Sequence, residues 1–531
     1  MTQTLTALLL ASLVFGVNTL FWALVGTGRY ATERSLQLRR RWRRRRPRPR
    51  HRRSGRGLVA RGDQPQRHER SAAAAVHRSG RLTIPNSHVR ALSAAGSTSA
   101  QTRCRTGIVN AIEPDAQHRF RPEDVAVLIP AHNEAAVLGN SLRAASALLP
   151  ASNIHVVSDG STDRTADVAA EAGVHVLELS PNRGKACALA AGIGHFELAR
   201  RFGVVLLLDA DTRLAADYLE NGLPLFDDPG VVAVAGRVKC LLDPPPRTRM
   251  GRLLVAYRAR LYAVVQLLVK YGQAARWANV VPIVPGFASM YRTDVLSRID
   301  IVAPGLVIED FNMTFEVHAK KLGRIAFRPD AAVAYTQDPD TWREYVRQIR
   351  RWTLGYWQTV RLHGLHFGRF WAALALQIAE LISSSIVLLL MPPLMLFALY
   401  SEWLADTYGN PEVMGRELVG TLGPQYVVIG FLLPDLMLTI FAAIALRRPG
   451  LLLLAPLFPL MRFVEAYICL RSIPTARRTH STGSWVSPTR RGAQPAQIAS
   501  QLASVRVPVD SLCGNNFRTN NAELGISTCK L

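Results

Sequence analysis

Between residues 122 and 209 short apolar runs alternate with amphipathic stretches. Val125–Pro130 (VAVLIP) is an apolar run closed by proline, the pattern of a strand buried on both faces. Helical spacing follows from Asn133 to Leu149, then a second strand at Ile154–Val157. A helix over Thr165–Ala172, a strand over Val174–Leu179, a helix over Gly184–Phe202 and a strand over Val204–Leu208 complete the series. Strands alternating with helices predict an α/β domain on a mainly parallel sheet. In such sheets ligands bind beyond the carboxyl ends of the strands. Pro130-Ala131-His132-Asn133-Glu134, Asp159 and Asp209 all fall at such ends.

Longer apolar stretches frame this region. Residues 5–26 are uncharged and long enough to cross a bilayer. A signal peptide fits less well, because the positive charge follows the apolar run and no small-residue cleavage site is evident. Three further stretches lie at 371–399, 425–446 and 450–470. The arginines after the first span predict that this end is cytoplasmic, and with it residues 122–365. The segment 401–424 carries Glu402, Asp406, Glu412 and Glu417 against Arg416, and reads as external, with Arg447 and Arg448 in an internal turn. The stretch 450–470 holds Pro456, Pro459, Arg462 and Glu465, and Arg471, Arg477 and Arg478 come after it. It reads as transmembrane or re-entrant, and the positive-inside bias favours re-entrant. Glu380 is costly in lipid and is expected to face protein or a polar path.

Composition sharpens this picture. Of 531 residues 49% are hydrophobic and 19% charged, with a mean hydropathy of +0.09, which points to a part-membrane protein. The net charge of +25 raises nucleic acid as a partner, but its distribution argues against one. From Arg29 to Arg56 stand 14 arginines against one glutamate, so about half the excess sits in one tract. Such like-charge density resists packing, and 29–121 is expected to be disordered and low in complexity. Residues 39–56 are expected to bind anionic lipid, at roughly 1 kcal/mol per basic residue, and no specific nucleic acid. The six cysteines (Cys104, Cys187, Cys240, Cys469, Cys513 and Cys529) are scattered without a CxxC pair, which indicates neither zinc nor a disulfide framework.

Several polar clusters carry candidate chemistry. Ser158-Asp159-Gly160-Ser161 at a strand end suits a turn and helix cap as well as a ligand contact. Asp209-Ala210-Asp211 follows five apolar residues, and alternating carboxylates there suit Mg²⁺ or Mn²⁺, which keep positions open for a diphosphate. Asn182-Arg183-Gly184-Lys185 opens a helix and can face phosphates, but lacks the P-loop pattern of an NTPase. Glu309-Asp310 begins another helix, where acids favour the N-terminus and where Asp310 can serve as a general base. Gln348-Ile349-Arg350-Arg351-Trp352 lies in an amphipathic stretch over 341–365, which also suits a membrane-surface helix.

The ordered set of motifs resembles the inverting family 2 glycosyltransferases of GT-A fold. It is most similar to the processive branch that makes cellulose, hyaluronan, chitin and poly-β-1,6-N-acetylglucosamine. The likeness covers about 122–365, and QxxRW just before a transmembrane stretch is its most specific part. It implies a cytosolic GT-A catalytic domain over 122–340, flanked by transmembrane helices in the plasma membrane, with residues 475–531 as a tail. It implies that Pro130, Asn133, Glu134, Asp159, Lys185 and Asp209 bind the nucleotide sugar. By the same likeness Asp209 and Asp211 hold the metal, and Asp310 is the base. Glu309, Gln348, Arg351 and Trp352 meet the diphosphate and acceptor, and Gly286 begins the segment near the acceptor. The expected reaction moves a sugar from a UDP-sugar, with N-acetylglucosamine favoured, to a growing β-linked polysaccharide with inversion.

Two departures from the family stand out. Residues 29–121 replace a second N-terminal span, and the C-terminal spans are few for a polymer channel. A partner membrane subunit or a homo-oligomer would supply what is missing. The competing expectations are transfer of a single sugar to a lipid acceptor, and a polybasic membrane protein binding nucleic acid or anionic lipid through 39–56.

Overall fold

A computed structural model describes residues 16–45, 119–408 and 431–479. The chain divides into one unit of Met1–Ser35 with Gln117–Leu531, and a second of Leu36–Ala116, of which only a helical end to Arg45 is described. Helix α1 (Val17–Arg45) is followed by β1 (Val125–Ala131), α2 (Ala135–Ser146), β2 (Ile154–Asp159), α3 (Thr165–Glu171), β3 (His175–Leu179), α4 (Lys185–His195) and β4 (Val204–Leu208). Each of these β-strands, α2 and α3 lies within a few residues of its expected place, while the helix expected over Gly184–Phe202 is split into α4 and a short turn of helix at Leu198–Arg201. After them come β5 (Arg213–Leu214), β6 (Val231–Val234), β7 (Arg237–Cys240), α5 (Arg249–Val264), β8 (Ala288–Arg292), α6 (Glu309–Ala319), β9 (Arg324–Ala326) and β10 (Val333–Thr336). Four helices close the series: α7 (Trp342–His363), α8 (Arg369–Tyr408), α9 (Leu433–Leu446) and α10 (Phe458–Arg478).

The main sheet has the order β3-β2-β1-β4-β8-β6-β9, and β5-β10-β7 form a small second sheet. The half read from the sequence, β3-β2-β1-β4, is parallel throughout. Beyond it β8 runs antiparallel to both β4 and β6, so the whole sheet is mixed. Alternation along β1 explains why it needs apolar residues at every position. Val125, Val127 and Ile129 join the core under α2 and α3, while Ala126 and Leu128 join the core under α4.

The helical part departs from expectation at one end. Helix α1 continues to Arg45, through the start of the 29–121 segment expected to be disordered. Arginine is a good helix former, and an Arg29–Glu33 pair at 2.8 Å supports the turn leaving the apolar stretch. The rest of that segment, residues 46–118, the first part of 5–26 and the segment 409–430 lie outside the described residues. Glu380 meets the expectation of facing protein: its carboxylate accepts the Asn18 N–H at 2.8 Å. Two helical runs among the described residues, Arg369–Phe397 and Leu451–Arg478, are long and apolar enough to cross a membrane, and Leu433–Leu446 is a shorter apolar helix. Cys187, Cys240 and Cys469 are free thiols.

Buried polar groups join α5 to the last helices. Arg260 Nη2 lies 2.6 Å from Asp435 Oδ1 on α9, and both side chains are almost fully buried. Arg462 of α10 approaches the same oxygen at 3.2 Å. Removing one member of such a cluster leaves uncompensated buried charge. Asp435→Leu should therefore cost about 3–5 kcal/mol, measured by denaturant unfolding of the detergent-purified chain. A loss below about 1 kcal/mol would show the cluster to be dispensable.

Candidate active site

The carboxyl edge of the parallel half gathers the polar loops. Asp159 ends β2 with no exposed surface. Its Oδ1 accepts the Arg183 N–H at 2.8 Å and its Oδ2 the Gly184 N–H at 2.7 Å. The carboxylate thus pins the turn that starts α4, whose first residue is Lys185. His132 Nδ1 sits 2.7 Å from the Asp159 carbonyl oxygen. Pro130 is buried in β1 opposite Val157. Asn133, at φ +54°, accepts the Thr162 N–H on Oδ1 at 2.8 Å, and its own N–H donates to Ser161 Oγ at 3.2 Å. The N–H of buried Glu134 donates to Thr165 Oγ1 at 2.9 Å. The loops after β1 and β2 are therefore one cross-linked wall.

Lys185 reaches from this wall to two other elements. Its Nζ lies 2.7 Å from Asp209 Oδ1, just past β4, and 2.9 Å from Glu309 Oε1, the first residue of α6. Burial works to lower the Lys185 pKa, but the two carboxylates overrule it and hold the ammonium well above its usual range. Burial works to raise Glu309, yet Lys185, with a smaller pull from Arg351, keeps it below the usual carboxylate range. Asp209 goes the other way: burial and the nearby charge of Asp211 lift it, and Lys185 offsets only part. Asp211 is itself buried, with Thr212 Oγ1 3.3 Å from its Oδ1.

Asp310 stands next to this cluster. Its Oδ1 accepts the Phe311 N–H at 2.8 Å and its Oδ2 the Gly286 N–H at 3.3 Å. Burial and the adjacent Glu309 charge raise its pKa to about 6, against Lys185 and the two backbone donors. At Gly286 an added Cβ would lie 3.1 Å from Glu309 Oε1 and 3.2 Å from Lys185 Nζ, so any side chain there would crowd the ion pair.

The QxxRW residues lie on α7, which spans Trp342–His363 with Thr341 Oγ1 capping its start at the Glu344 N–H. Gln348 Oε1 accepts a hydrogen bond from Arg258 Nη2 at 2.7 Å, and the same guanidinium lies 4.5 Å from the Trp352 ring centroid. Arg351 is exposed. Gly355, one turn on, faces Ile308 so closely that a Cβ would come within 2.9 Å of it. That contact holds α7 against the residue preceding Glu309.

Two residues of this region carry no sequence signal. Arg258 sits among other arginines of α5 with nothing local to mark it. Lys270 is 5% exposed, lies 5.0 Å from the Phe327 ring centroid, and is lowered to about 7 by burial, with Asp310 partly opposing.

The carboxylates of Asp209 and Asp211 fit a hard divalent ion held jointly with substrate phosphates. They are oxygen donors two residues apart, and their mutual repulsion is relieved by a cation. Among the described residues no group of three or more His, Cys, Asp or Glu side chains is arranged around one metal position. Any ion would therefore take part of its shell from water or phosphate oxygens.

Residues 122–355 match the family model for glycosyltransferase-like family 2. That segment holds both sheets and the first part of α7. A probable glycosyltransferase YdaM of Bacillus subtilis is 29% identical over 244 residues, 44% of this chain and 54% of that protein. A poly-beta-1,6-N-acetyl-D-glucosamine synthase of Staphylococcus epidermidis is 24% identical over 254 residues, 45% of this chain and 58% of that protein. The chain thus spans little more than half the length of these relatives. Among solved structures, the mannosyltransferase PcManGT of Pyrobaculum calidifontis, in complex with GDP-Man and Mn²⁺, is 19% identical with a TM-score of 0.38, covering 65% of this chain and 89% of that one.

The raised Asp310 pKa makes stability depend on pH. A folded value of about 6, against about 3.9 unfolded, means the folded state binds the extra proton between these values. That contribution is complete below about pH 3.9 and is lost as pH rises through 6. Asp310→Asn, which cannot ionise, should unfold at a higher temperature than the parent above pH 6, with the gap closing toward pH 4. A difference that is flat with pH would show that Asp310 is not the group responsible.

Proposed function

We propose that this chain is a membrane-bound inverting glycosyltransferase that moves a sugar from a UDP-sugar, UDP-N-acetylglucosamine foremost, to a growing β-linked polysaccharide. The observation that carries the reading is the position of Asp310. It has a pKa raised to about 6 and stands beside the Lys185–Asp209–Glu309 cluster, within a segment matching a glycosyltransferase family. Likeness to a poly-beta-1,6-N-acetyl-D-glucosamine synthase supports a polymer product over a single transferred sugar. The apolar runs at Arg369–Phe397 and Leu451–Arg478 support anchorage in the plasma membrane, with the catalytic domain on the cytoplasmic side by the arginine rule. A partner subunit or second copy would complete an export path.

In this mechanism the wall of Pro130, Asn133 and Glu134 borders the nucleoside end of the donor, and Asp159 shapes it by fixing the Arg183–Gly184 turn. Lys185 and Arg351 set positive charge beside its diphosphate. A Mg²⁺ or Mn²⁺ ion held by Asp209 and Asp211 would supply further charge against the leaving diphosphate. Asp310 accepts the proton of the acceptor hydroxyl as that oxygen attacks the anomeric carbon opposite the diphosphate. The new C–O bond forms as the bond to the diphosphate breaks, which inverts the centre. The proton remains on Asp310 and the nucleoside diphosphate leaves. Trp352 and Gln348 border the acceptor end.

The direct test incubates membranes containing the full chain with a panel of radiolabelled UDP- and GDP-sugars. Incorporation from UDP-N-acetylglucosamine into long product is expected. A glycolipid bearing one sugar would overturn the polymer reading, and no transfer from any donor would overturn the enzyme. Asp310→Asn should lower transfer by roughly 100-fold or more while leaving donor binding nearly intact, because a base acts in the chemical step. The parent's rate should rise with pH around an apparent pKa of about 6. Asp211→Asn should weaken donor binding measured with Mn²⁺ present and leave metal-free binding unchanged; an equal effect in both conditions removes it from the metal site.

A further inference from the structure

Gln348 and Trp352 are exposed to competing demands on α7, where an amphipathic helix offers no local reason for either side chain to hold one orientation. The reason comes from α5. Arg258 is 1% exposed, a full guanidinium enclosed between helices. Its Nη2 donates to Gln348 Oε1 at 2.7 Å. Its Cζ lies 4.5 Å from the Trp352 ring centroid and 5.0 Å from that of Tyr345, each about one turn from Gln348 on α7. The Tyr345 ring is held in turn, since its OH donates to Glu465 Oε1 at 2.7 Å. The neighbours of Arg258 on α5 are fixed as well. Tyr257 OH donates to Glu465 Oε2 at 2.9 Å, and Tyr262 OH to Asp338 Oδ1 at 2.9 Å.

We propose that Arg258 is the positioning residue of the QxxRW segment: it fixes Gln348 by a hydrogen bond and Trp352 by stacking, and so sets the acceptor end of the site. The inference rests on the glycosyltransferase reading above. A guanidinium suits this task because it is planar, always charged, and can donate in its plane while stacking across its faces. An ammonium at the same place keeps the charge but loses both the fork and the flat stack. Arg258 itself acts through Gln348 and Trp352 and makes no demand on the donor wall at Asp159. Its loss should therefore reach the acceptor step and leave the donor site as it is. Buried misplacement of this kind costs on the order of tenfold to a hundredfold in rate.

The test uses the full chain in membranes, with radiolabelled UDP- and GDP-sugars tried first on the parent and its preferred donor used thereafter. Arg258→Lys and Arg258→Ala should bind that donor as the parent does, lower transfer by on the order of tenfold to a hundredfold, and shorten the product. Shorter product separates positioning from a smaller amount of folded enzyme. In a double-mutant cycle Arg258→Ala with Gln348→Ala should be no worse than the more damaging single change, because one acts through the other. If Arg258→Ala does not accumulate, Arg258→Lys with Gln348→Ala supplies the same cycle. Multiplying effects, or an Arg258→Lys enzyme with parental rate and product length, would overturn the proposal while leaving the glycosyltransferase reading standing. A parent that transfers from no nucleotide sugar would overturn both.

Discussion

The Nζ of Lys185 lies within ion-pair distance of both Asp209 and Glu309, and without that charge a half-buried and a buried carboxylate would face each other across the site. Their repulsion, together with Asp211 and Asp310 nearby, would work against bringing the ends of β4 and α6 close. One ammonium thus permits a concentration of negative charge at the edge of the sheet. The same arrangement sorts the acids by environment. Glu309 is held low by Lys185, whereas Asp310 is lifted by burial and by the charge of its neighbour. Adjacent carboxylates with opposite shifts can serve different roles at one pH.

The placement of Lys185 depends on Asp159. That carboxylate is spent on the backbone of Arg183 and Gly184, so it acts on the site by fixing where α4 begins. A second level of organisation comes from α5. Along this helix and the residues just after it, Tyr257, Arg258, Arg260, Tyr262 and Gln266 bond respectively to Glu465, Gln348, Asp435, Asp338 and the Val238 backbone. The helix therefore meets α10, α7, α9 and the small sheet at separate points. Each of these side chains bonds to a distinct partner, which makes one packing of these apolar helices lower in energy than slipped alternatives. The α/β domain and the apolar helices behind it are linked through polar contacts chosen residue by residue.

Much of this was legible beforehand because the signals are local. The apolar runs of β1, β2 and β4 need both faces buried, and their loops must then emerge at one edge, so Pro130–Glu134, Asp159 and Asp209 were bound to be neighbours. The helix over Trp342–His363 was readable from its amphipathic period. The antiparallel entry of β8 was not, since strand direction depends on how the chain returns through α5, and no local pattern encodes it. The helical course of residues 29–45 was not legible either, because charge density favours disorder while arginine's helix propensity and continuity with the apolar turn before it favour a helix.

By itself the sequence determined the α/β alternation, the carboxyl-edge loops and the identity of the acids and the QxxRW residues, because each depends on neighbours in the chain. Only the tertiary structure decided what those residues touch. It paired Lys185 with Asp209 and Glu309, residues 24 and 124 positions away, and set Arg258 between Gln348 and Trp352. Such pairings arise where elements distant in sequence are packed closely enough for buried charge to require a partner, a condition that no stretch of sequence contains.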